Sequence, residues 1–479
     1  MASSRSSRTG KTINDAIHGD IHLTDREIRV IDTITFQRLR RLKQLAMAQL
    51  VYPTATHTRF AHSIGALGTM IRILEVAKKN RIKFDKEQKE NLRLAALLHD
   101  IGHYPYSHLM EKVDKVKLSE EQIGEQKQVL DAQKTEYPEH DEVGRLIVTG
   151  QEDLVEVIGS KERAQKISNL LGRGSSREDQ QINKLIHSSV DVDRMDYLLR
   201  DSHGTGVPYG RIDINYLLNN LKISSEGVVG FEEKALPAVE HFLLSRFYMY
   251  LAVYYHKTIY GFEEMCRQML RRLRDRDGEH YDVPTDGKEV KDLITSEKLN
   301  TFTDAFVDDI LQKAADDRDG AIQRLAKAIQ NRWPPVLLKE VQICEERGKQ
   351  HHAGKAFKDK CNYELKQLSK KFGIPIEQFL PCQTPTSYVV KYPERYPIGQ
   401  MDSIPVEERR QKAEEDEEAD IKIFKANSDE PVSLYNIDYS LVAKYAKYYY
   451  QAFRLYVVYE GKDKIKMVKR LKQEINKWG

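Results

Sequence analysis

Apolar residues recur at intervals of three and four along most of this chain of 479 residues, and this spacing constrains its fold more than any other feature. It runs through IRVIDTITFQRLRRLKQL, NLRLAALL, HFLLSRFYMYLAVYYHKTIYGFEEMCRQMLRRL and YSLVAKYAKYYYQAFRLYVV. A period of 3.6 residues places such positions on one face of a helix, so the sequence predicts a mainly α-helical protein. Alternating patterns are brief, as in LKISSEGVVGF and TSYVVKY, and predict only small β-hairpin decorations.

Changes in composition divide the chain into three parts. Residues 1–10 are small and polar, and we expect them to be flexible. Residues 11–275 are predicted to form one helical core that includes the long tyrosine-bearing helix. Residues 276–479 are predicted to form a mostly helical C-terminal lobe with an acidic loop at residues 406–420. The polar residues 112–139 look like an inserted helical arm.

The overall charge and the termini narrow the range of partners. The 76 Lys and Arg residues nearly balance the 73 Asp and Glu residues, which gives a formal net charge of +3. Global charge therefore makes no case for a nucleic-acid or membrane partner. The start MASSRSSRTGK lacks the apolar stretch of a secretory signal, and we expect no apolar run long enough to span a membrane. These features predict a cytoplasmic protein.

The four cysteines form no C-x-x-C pair, which is typical of a reducing compartment. Cys344 and Cys361, with His351 and His352 between them, could be drawn as a zinc site. Their irregular spacing favours free thiols instead.

Four side chains suited to a metal ion stand in three separate helical stretches. His62 lies in THTRFAHSIG, the pair His99 and Asp100 ends the apolar run in LAALLHDIGHYPYSH, and Asp193 lies in DVDRMDYLLRD. A single histidine on an apolar face is more often a satisfied core residue than a ligand. Several helices that each supply a histidine or an aspartate can converge on one divalent metal and leave a position open. Fe, Mn, Zn, Ni and Mg all accept such ligands.

More histidines follow the metal motif. A glycine and a proline bend the chain after the helix, so that His103 and His108 can face back toward the metal, and His140 in YPEHDE is a further candidate. Phosphate chemistry needs cationic contacts and a proton donor, and imidazoles supply both. The helix end is therefore predicted to be a site rather than a cap.

Two helical faces suit a nucleotide. The first carries Asp193, Tyr197 and Asp201 at intervals of four, flanked by Arg194 and Arg200. The second follows Pro237 and carries Arg246, Tyr250, Tyr254 and Lys257. Cations would meet phosphate oxygens, and tyrosine rings would pack against a sugar or a base. The alternatives are a solvated charged face for the first and a tyrosine-rich interface or core seam for the second.

These residues resemble a known family. The segments NDAIHGDI, IDTITFQRLRRLKQL, VYPTATHTRFAHSIG, LLHDIGHYPYSH and DVDRMDYLLRDSHGTG occur in the order and spacing of the HD-domain deoxynucleoside triphosphate triphosphohydrolases. The sequence looks most like the catalytic core of the branch that in animals also carries a sterile-alpha-motif module, for which the residues before Lys11 leave no room. The resemblance is strong over residues 11–271 and weaker beyond. It implies an HD-domain helical core that hydrolyses dNTPs to deoxynucleoside and inorganic triphosphate.

The resemblance implies a role for each matching residue. His62, His99, Asp100 and Asp193 would bind the metal, which would activate water for attack on the α-phosphorus. His103 and His140 would contact the phosphates, and His108, held by Glu111, would protonate the departing 5′-oxygen. Arg59, Arg194, Arg246 and Lys257 would clamp the triphosphate, which can carry a Mg²⁺ ion of its own. Asp201 would anchor the 3′-hydroxyl, while Tyr197 and Tyr254 would close the space near C2′.

The sequence departs from the family at a few of these positions. Arg194 stands where the family often has lysine. Tyr250 and Tyr255 stand where the animal enzyme has histidine and glutamine, which leaves the base preference open.

Members of this branch are activated by nucleotides bound between the subunits of a tetramer. The matching positions here are Lys11, Asn14, Asp32, Gln37 and Arg40. The resemblance therefore implies an activating nucleotide and a homotetramer or dimer of dimers. The alternative is that DTITFQRLRRLKQL is simply an amphipathic interface helix.

Two other functions stay open on the residues alone. One is an HD phosphohydrolase that acts on a nucleoside monophosphate, a cyclic nucleotide or an oligonucleotide, which would not need the stripe from Arg246 to Lys257. The other is a non-catalytic nucleotide sensor or single-strand binder. The complete ligand set and the near-neutral charge argue against the second.

Overall fold

The computed structural model describes residues 10–79, 82, 84–113, 136–172, 183–276, 281–346, 352–389, 420–426, 428–446 and 448–478. The predicted flexible segment before Gly10, most of the predicted arm and nearly all of the acidic loop lie outside these residues.

The chain opens with a β-hairpin and five helices. The hairpin pairs β1 (Thr12–Asp15) with β2 (Gly19–His22) in antiparallel register. The helices are α1 (Asp25–Ile31), α2 (Ile34–Gln37), α3 (Arg59–Lys79), α4 (Lys86–Leu98) and α5 (His108–Glu111). Capping boxes begin α1 at Thr24 and α4 at Asp85, and so satisfy amides that a helix start leaves unpaired. α4 thus begins at a defined residue and ends at the histidine of the HD pair.

The middle of the chain is helical apart from one hairpin. Its helices are α6 (His140–Gly150), α7 (Glu152–Ile158), α8 (Lys161–Leu171), α9 (Val192–Thr205), α10 (Ile214–Asn219), α11 (Leu236–Met249) and α12 (Lys257–Asp275). The hairpin predicted in LKISSEGVVGF is confirmed, because β3 (Leu221–Ile223) pairs antiparallel with β4 (Val229–Glu232). The single long helix expected after Pro237 is divided by a π-helical turn at Tyr250–Tyr254.

The C-terminal part mixes helices and strands. The helices are α13 (Gly287–Ile294), α14 (Asp304–Ala314), α15 (Gly320–Gln330), α16 (His352–Phe372), α17 (Leu441–Tyr445) and α18 (Lys464–Ile475). The strands are β5 (Val336–Glu346), β6 (Phe379–Gln383), β7 (Ser387–Tyr388), β8 (Lys422–Phe424), β9 (Pro431–Ser433) and β10 (Tyr448–Val457). One sheet has the order β5-β10-β6, with β7 also on β10, and the other has the order β3-β4-β8-β9.

The helix predicted for YSLVAKYAKYYYQAFRLYVV is wrong beyond Tyr445. α17 ends there, and β10 pairs antiparallel with β5 on one side and with β6 on the other. The last six residues of β10 are all buried, as in a central strand covered on both faces. A continuous apolar run of this kind cannot be told from a buried helix by periodicity alone. The C-terminal lobe therefore combines its helices with a four-stranded sheet.

α3 lies at the centre of the main hydrophobic core, where it packs against α4 and α9. By length and composition it is the one described helix that could cross a membrane, contrary to the expectation that no run would be long enough. However, 78% of its most apolar window is buried inside the protein, as in a core helix. Burial of α3 places His62 deep between the two helices that carry the other predicted ligands.

Candidate metal centre and active site

A cavity of about 1830 Å³ lies between the helical core and the C-terminal lobe. The predicted site residues that line it are Arg59, His99, Asp100, His103, His108, His140, Asp193, Arg194, Tyr197, Asp201, Arg246, Tyr250 and Tyr254. His62 and Glu111 are buried beside these residues, with which they share hydrogen bonds.

Lys257 was predicted to join the cavity wall but does not. It is exposed, at the first position of α12, and is not part of the lining. The π-helical turn and the new helix start at His256 interrupt the four-residue spacing that would have placed Lys257 below Tyr254.

Four predicted ligands converge at one end of the cavity, and we call His62, His99, Asp100 and Asp193 the metal-donor cluster. His62 Nε2 lies 3.1 Å from His99 Nε2 and 3.0 Å from Asp193 Oδ1. Asp100 Oδ2 lies 3.6 Å from His62 Nε2, and Asp100 Oδ1 lies 3.4 Å from His99 Nε2. Ligand atoms about 2.1 Å from a metal stand roughly 3 Å apart when they are neighbours in its coordination sphere. The spacing therefore fits one divalent cation.

The outer nitrogens of both imidazoles are fixed by acceptors. His99 Nδ1 donates to the carbonyl oxygen of Ala96 at 2.9 Å, and His62 Nδ1 donates to Asp196 Oδ2 at 2.6 Å. Each neutral ring therefore presents the lone pair of Nε2 to the cluster. Burial by itself lowers the pKa of His62, but hydrogen bonds to Asp193 and Asp196 raise it to about 10. Without a metal, the neighbouring carboxylates therefore favour the protonated form of His62, and a metal ion bound at Nε2 would replace that proton.

Arg59 was predicted to clamp phosphates, and its side chain donates hydrogen bonds to Asp100 of the metal-donor cluster and to Ser107 of the following turn. Its Nη1 donates to Asp100 Oδ2 at 2.5 Å, and its Nε and Nη2 donate to Ser107 Oγ at 2.9 and 2.8 Å. Burial by itself raises the pKa of Asp100, but the charges of Arg59 and His99 hold it well below its usual range. Arg59 therefore keeps Asp100 ionised, as a metal ligand must be. Its contact with phosphate stays a prediction.

The turn between α4 and α5 is held in a strained shape. Tyr106 and Ser107 have φ angles of 51° and 55°, a region that costs non-glycine residues energy. Tyr106 N donates to Asp304 Oδ1 at 2.8 Å, and the buried Arg38 donates to two carbonyl oxygens of the turn. At Gly102, a Cβ atom would stand only 2.1 Å from a backbone oxygen of α6. These contacts bring the three histidines after the metal motif together.

His103, His108 and His140 form a second group, the imidazole cluster. The rings of His103 and His140 are stacked with centroids 4.1 Å apart, and the His108 ring lies 5.1 Å from that of His140. His108 Nδ1 and His140 Nδ1 donate to the two oxygens of Glu111 at 2.7 and 2.8 Å. His103 Nε2 lies 3.1 Å from Asp100 Oδ1 and so joins the two clusters.

The imidazole cluster separates charged from neutral rings. Burial by itself lowers the pKa of His140, but its hydrogen bond to Glu111 and the charge of Asp141 raise it to about 9. The surrounding walls desolvate His108 and lower its pKa, against the effect of its own bond to Glu111. Burial alone would raise the pKa of Glu111, whereas the hydrogen bonds from His108 and His140 bring it below its usual range. The cluster thus holds the Glu111 carboxylate between His140, whose pKa is raised, and His108, whose pKa is lowered.

The opposite wall brings the predicted nucleotide contacts together. α9 places Asp193, Tyr197 and Asp201 along the cavity, as the spacing indicated. The rings of Tyr197 and Tyr254 lie 6.3 Å apart, centroid to centroid. Tyr254 donates its hydroxyl to Asp201 Oδ2 at 2.7 Å, and His57 Nε2 donates to Asp201 Oδ1 at 2.7 Å. Asp201 is therefore fixed in position before any ligand arrives.

Sequence reasoning missed the residues that hold the ligands in place. Asp196 binds His62, His57 binds Asp201, Ser107 binds Arg59, and Arg38 supports the turn. One signal was present for Asp196, because a carboxylate on the apolar side of a helix must be paired when it is buried.

The five residues predicted to hold an activating nucleotide lie outside the cavity. Lys11, Asn14, Asp32 and Arg40 are exposed and Gln37 is half-buried, on the hairpin and around α1 and α2. Arg40 Nε donates to Gln37 Oε1 at 2.7 Å, and the Arg40 guanidinium lies 3.5 Å over the ring of Phe60. Their role in binding a nucleotide stays a prediction.

The cysteines are free thiols, and no described group of metal-donor side chains includes one. His351 and the side chain of His352, which belong to the zinc alternative, lie outside the described residues.

Comparison with known proteins assigns the helical core. Residues 59–201 match the model of the HD domain, and residues 212–333 match that of the HD associated region. The chain therefore carries an HD domain with its associated region, in a mainly α-helical fold. An HD domain indicates a phosphohydrolase that binds a divalent metal.

Individual relatives agree with this assignment. The chain is 32% identical over 274 residues to the uncharacterized protein YwfO of Bacillus subtilis, covering 57% of this chain and 58% of that one. It is 31% identical over 265 residues to the deoxynucleoside triphosphate triphosphohydrolase SAMHD1 homolog of Dictyostelium discoideum, covering 53% of this chain and 47% of that one. The chain thus spans about half the length of the curated relatives it matches.

A solved structure shows the same fold over nearly the whole chain. A phosphohydrolase from Bacteroides thetaiotaomicron superimposes with a TM-score of 0.68 over 93% of this chain and 99% of that one. The two sequences are 21% identical, so this match concerns the fold alone.

Proposed function

We propose that this protein is a divalent-metal-dependent triphosphohydrolase that cleaves dNTPs to deoxynucleoside and inorganic triphosphate. The observation that carries the proposal is that one cavity holds three parts. These are the metal-donor cluster, a histidine held by a carboxylate, and Asp201 fixed between His57 and Tyr254. The similarity to a protein named as a dNTP triphosphohydrolase supports it.

The metal-donor cluster would hold one divalent cation, which supplies positive charge for phosphate oxygens and lowers the pKa of water. Asp100 and Asp193 contribute two negative charges, and His62 and His99 contribute two nitrogen ligands. Arg59 and Asp196 keep these donors oriented from outside the cluster.

His108 is the group proposed to protonate the departing 5′-oxygen. Its Nδ1 is bound to Glu111, so the other ring nitrogen, Nε2, is the one available for proton transfer. The ring is 56% exposed, which leaves it accessible to a substrate in the cavity. The negative charge of a bound triphosphate raises the pKa of a nearby imidazole, so we expect His108 to take up its proton when substrate binds.

Recognition of the deoxyribose is assigned to Asp201 and the tyrosines. Both oxygens of Asp201 are held by donors, but each retains a lone pair that can accept a sugar hydroxyl. Tyr197 and Tyr254 close the cavity beside it and would leave little space for a 2′-hydroxyl. Arg194 and Arg246 line the same cavity and would contact the triphosphate.

Activation by a nucleotide bound between subunits is part of the proposal. Its support is the exposed position of Lys11, Asn14, Asp32 and Arg40, which leaves them accessible to a second subunit. We expect a homotetramer or dimer of dimers in the presence of the activator.

The test is to incubate the protein with each dNTP, alone and in all pairwise mixtures, with Mn²⁺ or Mg²⁺, and to separate the products. Deoxynucleoside plus triphosphate is the expected result, and product that forms only in certain mixtures identifies an activator. Release of monophosphate or pyrophosphate alone, or no cleavage of any dNTP by protein that has bound Mn²⁺, would contradict the proposal.

A second candidate is an HD phosphohydrolase that acts on a short oligonucleotide. The cavity volume of about 1830 Å³ favours it, because pockets for small ligands usually measure about 300–1,000 Å³. Such an enzyme would cleave a phosphodiester and would not need Arg246 for a triphosphate. Unchanged turnover after Arg246→Ala, together with cleavage of an oligodeoxynucleotide, would place this candidate first.

A further inference from the structure

The turn of the N-terminal hairpin reaches the interior of the HD domain. His18 Nε2 binds Asp196 Oδ1 at 2.7 Å, and the two side chains are only 2% and 0% exposed. The residues are 178 positions apart in the sequence. The hairpin that begins the described chain therefore contributes a side chain to the vicinity of the metal-donor cluster.

Asp196 connects that histidine to a metal donor. Its Oδ2 accepts the hydrogen bond from His62 Nδ1 at 2.6 Å, while its Oδ1 faces His18. Arg200 holds the same carboxylate with two hydrogen bonds, Nε to Oδ2 and Nη2 to Oδ1, both at 2.8 Å. Asp196 is thus fixed from three sides, and only one of them is the metal donor.

The contacts close into a ring through Asp15. Arg200 Nη1 lies 3.0 Å from Asp15 Oδ2, and Arg200 Nη2 donates to Asp15 Oδ1 at 3.1 Å. Asp15 Oδ1 also accepts the backbone N–H of His18 at 3.0 Å. The hairpin turn and α9 therefore share one buried network of charged groups.

The sequence of α3 leaves space for this network. A Cβ atom on Gly65 would lie 1.9 Å from Asp196 Oδ1 and 2.3 Å from Arg200 Nη2. A Cβ atom on Gly68 would lie 2.8 Å from Ile21 of the hairpin. A larger residue at Gly65 would displace the carboxylate, whereas one at Gly68 would have to shift the end of the Ile21 side chain.

We propose that Asp196 and His18 are positioning residues of the metal centre, so that the N-terminal hairpin is a structural part of it. Asp196 fixes the tautomer and ring orientation of His62, which turns Nε2 toward the metal. His18 and Arg200 in turn fix Asp196. Partners of this kind, one step removed from the metal, orient its ligands and increase their basicity. The inference rests on the metal centre of the proposed function but not on its substrate.

Linkage gives the arrangement a second consequence. If the hairpin stabilises the ligand geometry that binds metal, metal must stabilise the docked hairpin by the same free energy. Anything that detaches the hairpin therefore weakens the metal site.

The experiment measures Mn²⁺ affinity from the electron paramagnetic resonance signal of free Mn²⁺ in titrations of three variants. His18→Ala is expected to weaken binding by about 10–100-fold, which is the usual effect of losing such a partner. His18→Gln, whose amide can donate to Asp196, is expected to recover part of the affinity. His22→Ala is the matched control, because His22 lies on the same hairpin, is exposed, and bonds Thr12 through its ring. We expect a change of less than about twofold.

Two further readouts separate positioning from a general loss of fold. Thermal unfolding without metal should show that His18→Gln and His22→Ala remain folded. Hydrogen exchange should show that Mn²⁺ slows exchange at residues 12–22 in the unaltered protein and does so less in His18→Ala. Mn²⁺ affinity unchanged in a folded His18→Ala variant overturns the inference, as does an unaltered protein that binds no Mn²⁺. Intact Mn²⁺ effects without any dNTP cleavage would instead count against the proposed function alone.

Discussion

The metal-donor cluster and the imidazole cluster both contain histidines, but the histidines are held differently. The two clusters touch where His103 Nε2 lies 3.1 Å from Asp100 Oδ1. In the first, His62 Nδ1 and His99 Nδ1 are tied to an acceptor outside the group, and Nε2 points to a shared centre. In the second, His108 Nδ1 and His140 Nδ1 share Glu111, and His108 stays 56% exposed to the cavity. His62 and His108 both donate Nδ1 to a carboxylate, so the two groups differ in exposure: His62 is fully buried, whereas His108 is open to the cavity.

The largest effect is expected from the metal-donor cluster. Asp100→Ala removes a charged group of the metal-donor cluster and leaves Arg59 without its carboxylate partner. Loss of metal removes several kcal/mol of transition-state stabilisation, about 10³–10⁵-fold in kcat. Metal content by elemental analysis and dNTP turnover should fall together. Full metal content in an inactive Asp100→Ala protein would show that Asp100 is not needed to bind the metal and that its assignment to the metal-donor cluster is wrong.

The imidazole cluster should lose catalysis without losing metal. His108→Asn removes the proposed acid and is expected to lower kcat by about 10²–10⁴-fold, while Mn²⁺ affinity stays within about twofold of the original. Glu111→Gln should act in the same direction, and the double variant should be little worse than either single one, because the two residues work as a unit. Strictly additive losses would contradict that reading.

The His140–Glu111 pair makes stability depend on pH. The pKa of His140 is raised from 6.5 to about 9, so its contribution is complete below pH 6.5 and is lost as the pH rises through 9. The pKa of Glu111 is lowered from 4.5, so its contribution is present above pH 4.5 and is lost in acid. His140→Gln should therefore cost about 1.5–3 kcal/mol between these limits and less at pH 10.

Denaturant unfolding across this pH range measures the effect. His203→Gln, at an exposed histidine of α9, serves as the control. A cost for His140→Gln that stays constant from pH 6 to pH 10 would show that the pair is not ionised as described.

The smallest effect is expected at Lys257. Arg246→Ala removes a cation from the cavity wall and should raise KM for a dNTP about 10-fold, as expected for losing one charge-assisted contact. Lys257→Ala should change KM by less than about twofold, because Lys257 is exposed outside the cavity. Equal effects of the two substitutions on KM would show that Lys257 contacts the substrate together with Arg246, as the sequence predicted.

The sequence by itself determined the helical class and predicted the residues that meet in the metal-donor cluster. Helical periodicity is a local property, so α4, α9 and α12 follow from the spacing of residues within a short window of the sequence. Residue type is visible in the sequence, and so His62, His99, Asp100 and Asp193 were predicted as ligands before the structure brought them together.

Only the tertiary structure decided the rest. The stretch 448–457 became a strand because β5 and β6 pair with it from both sides, and no local pattern records those partners. Lys257 lies outside the cavity because the π-helical turn at Tyr250–Tyr254 interrupts the regular spacing of the α-helix before it. Asp196 and His18 are 178 residues apart in the sequence and are in contact in the fold. Each is buried, and burial of such a group is costly unless it has a hydrogen-bond partner. Such pairings depend on the packed chain as a whole, because desolvation penalises each group until its distant partner is in place.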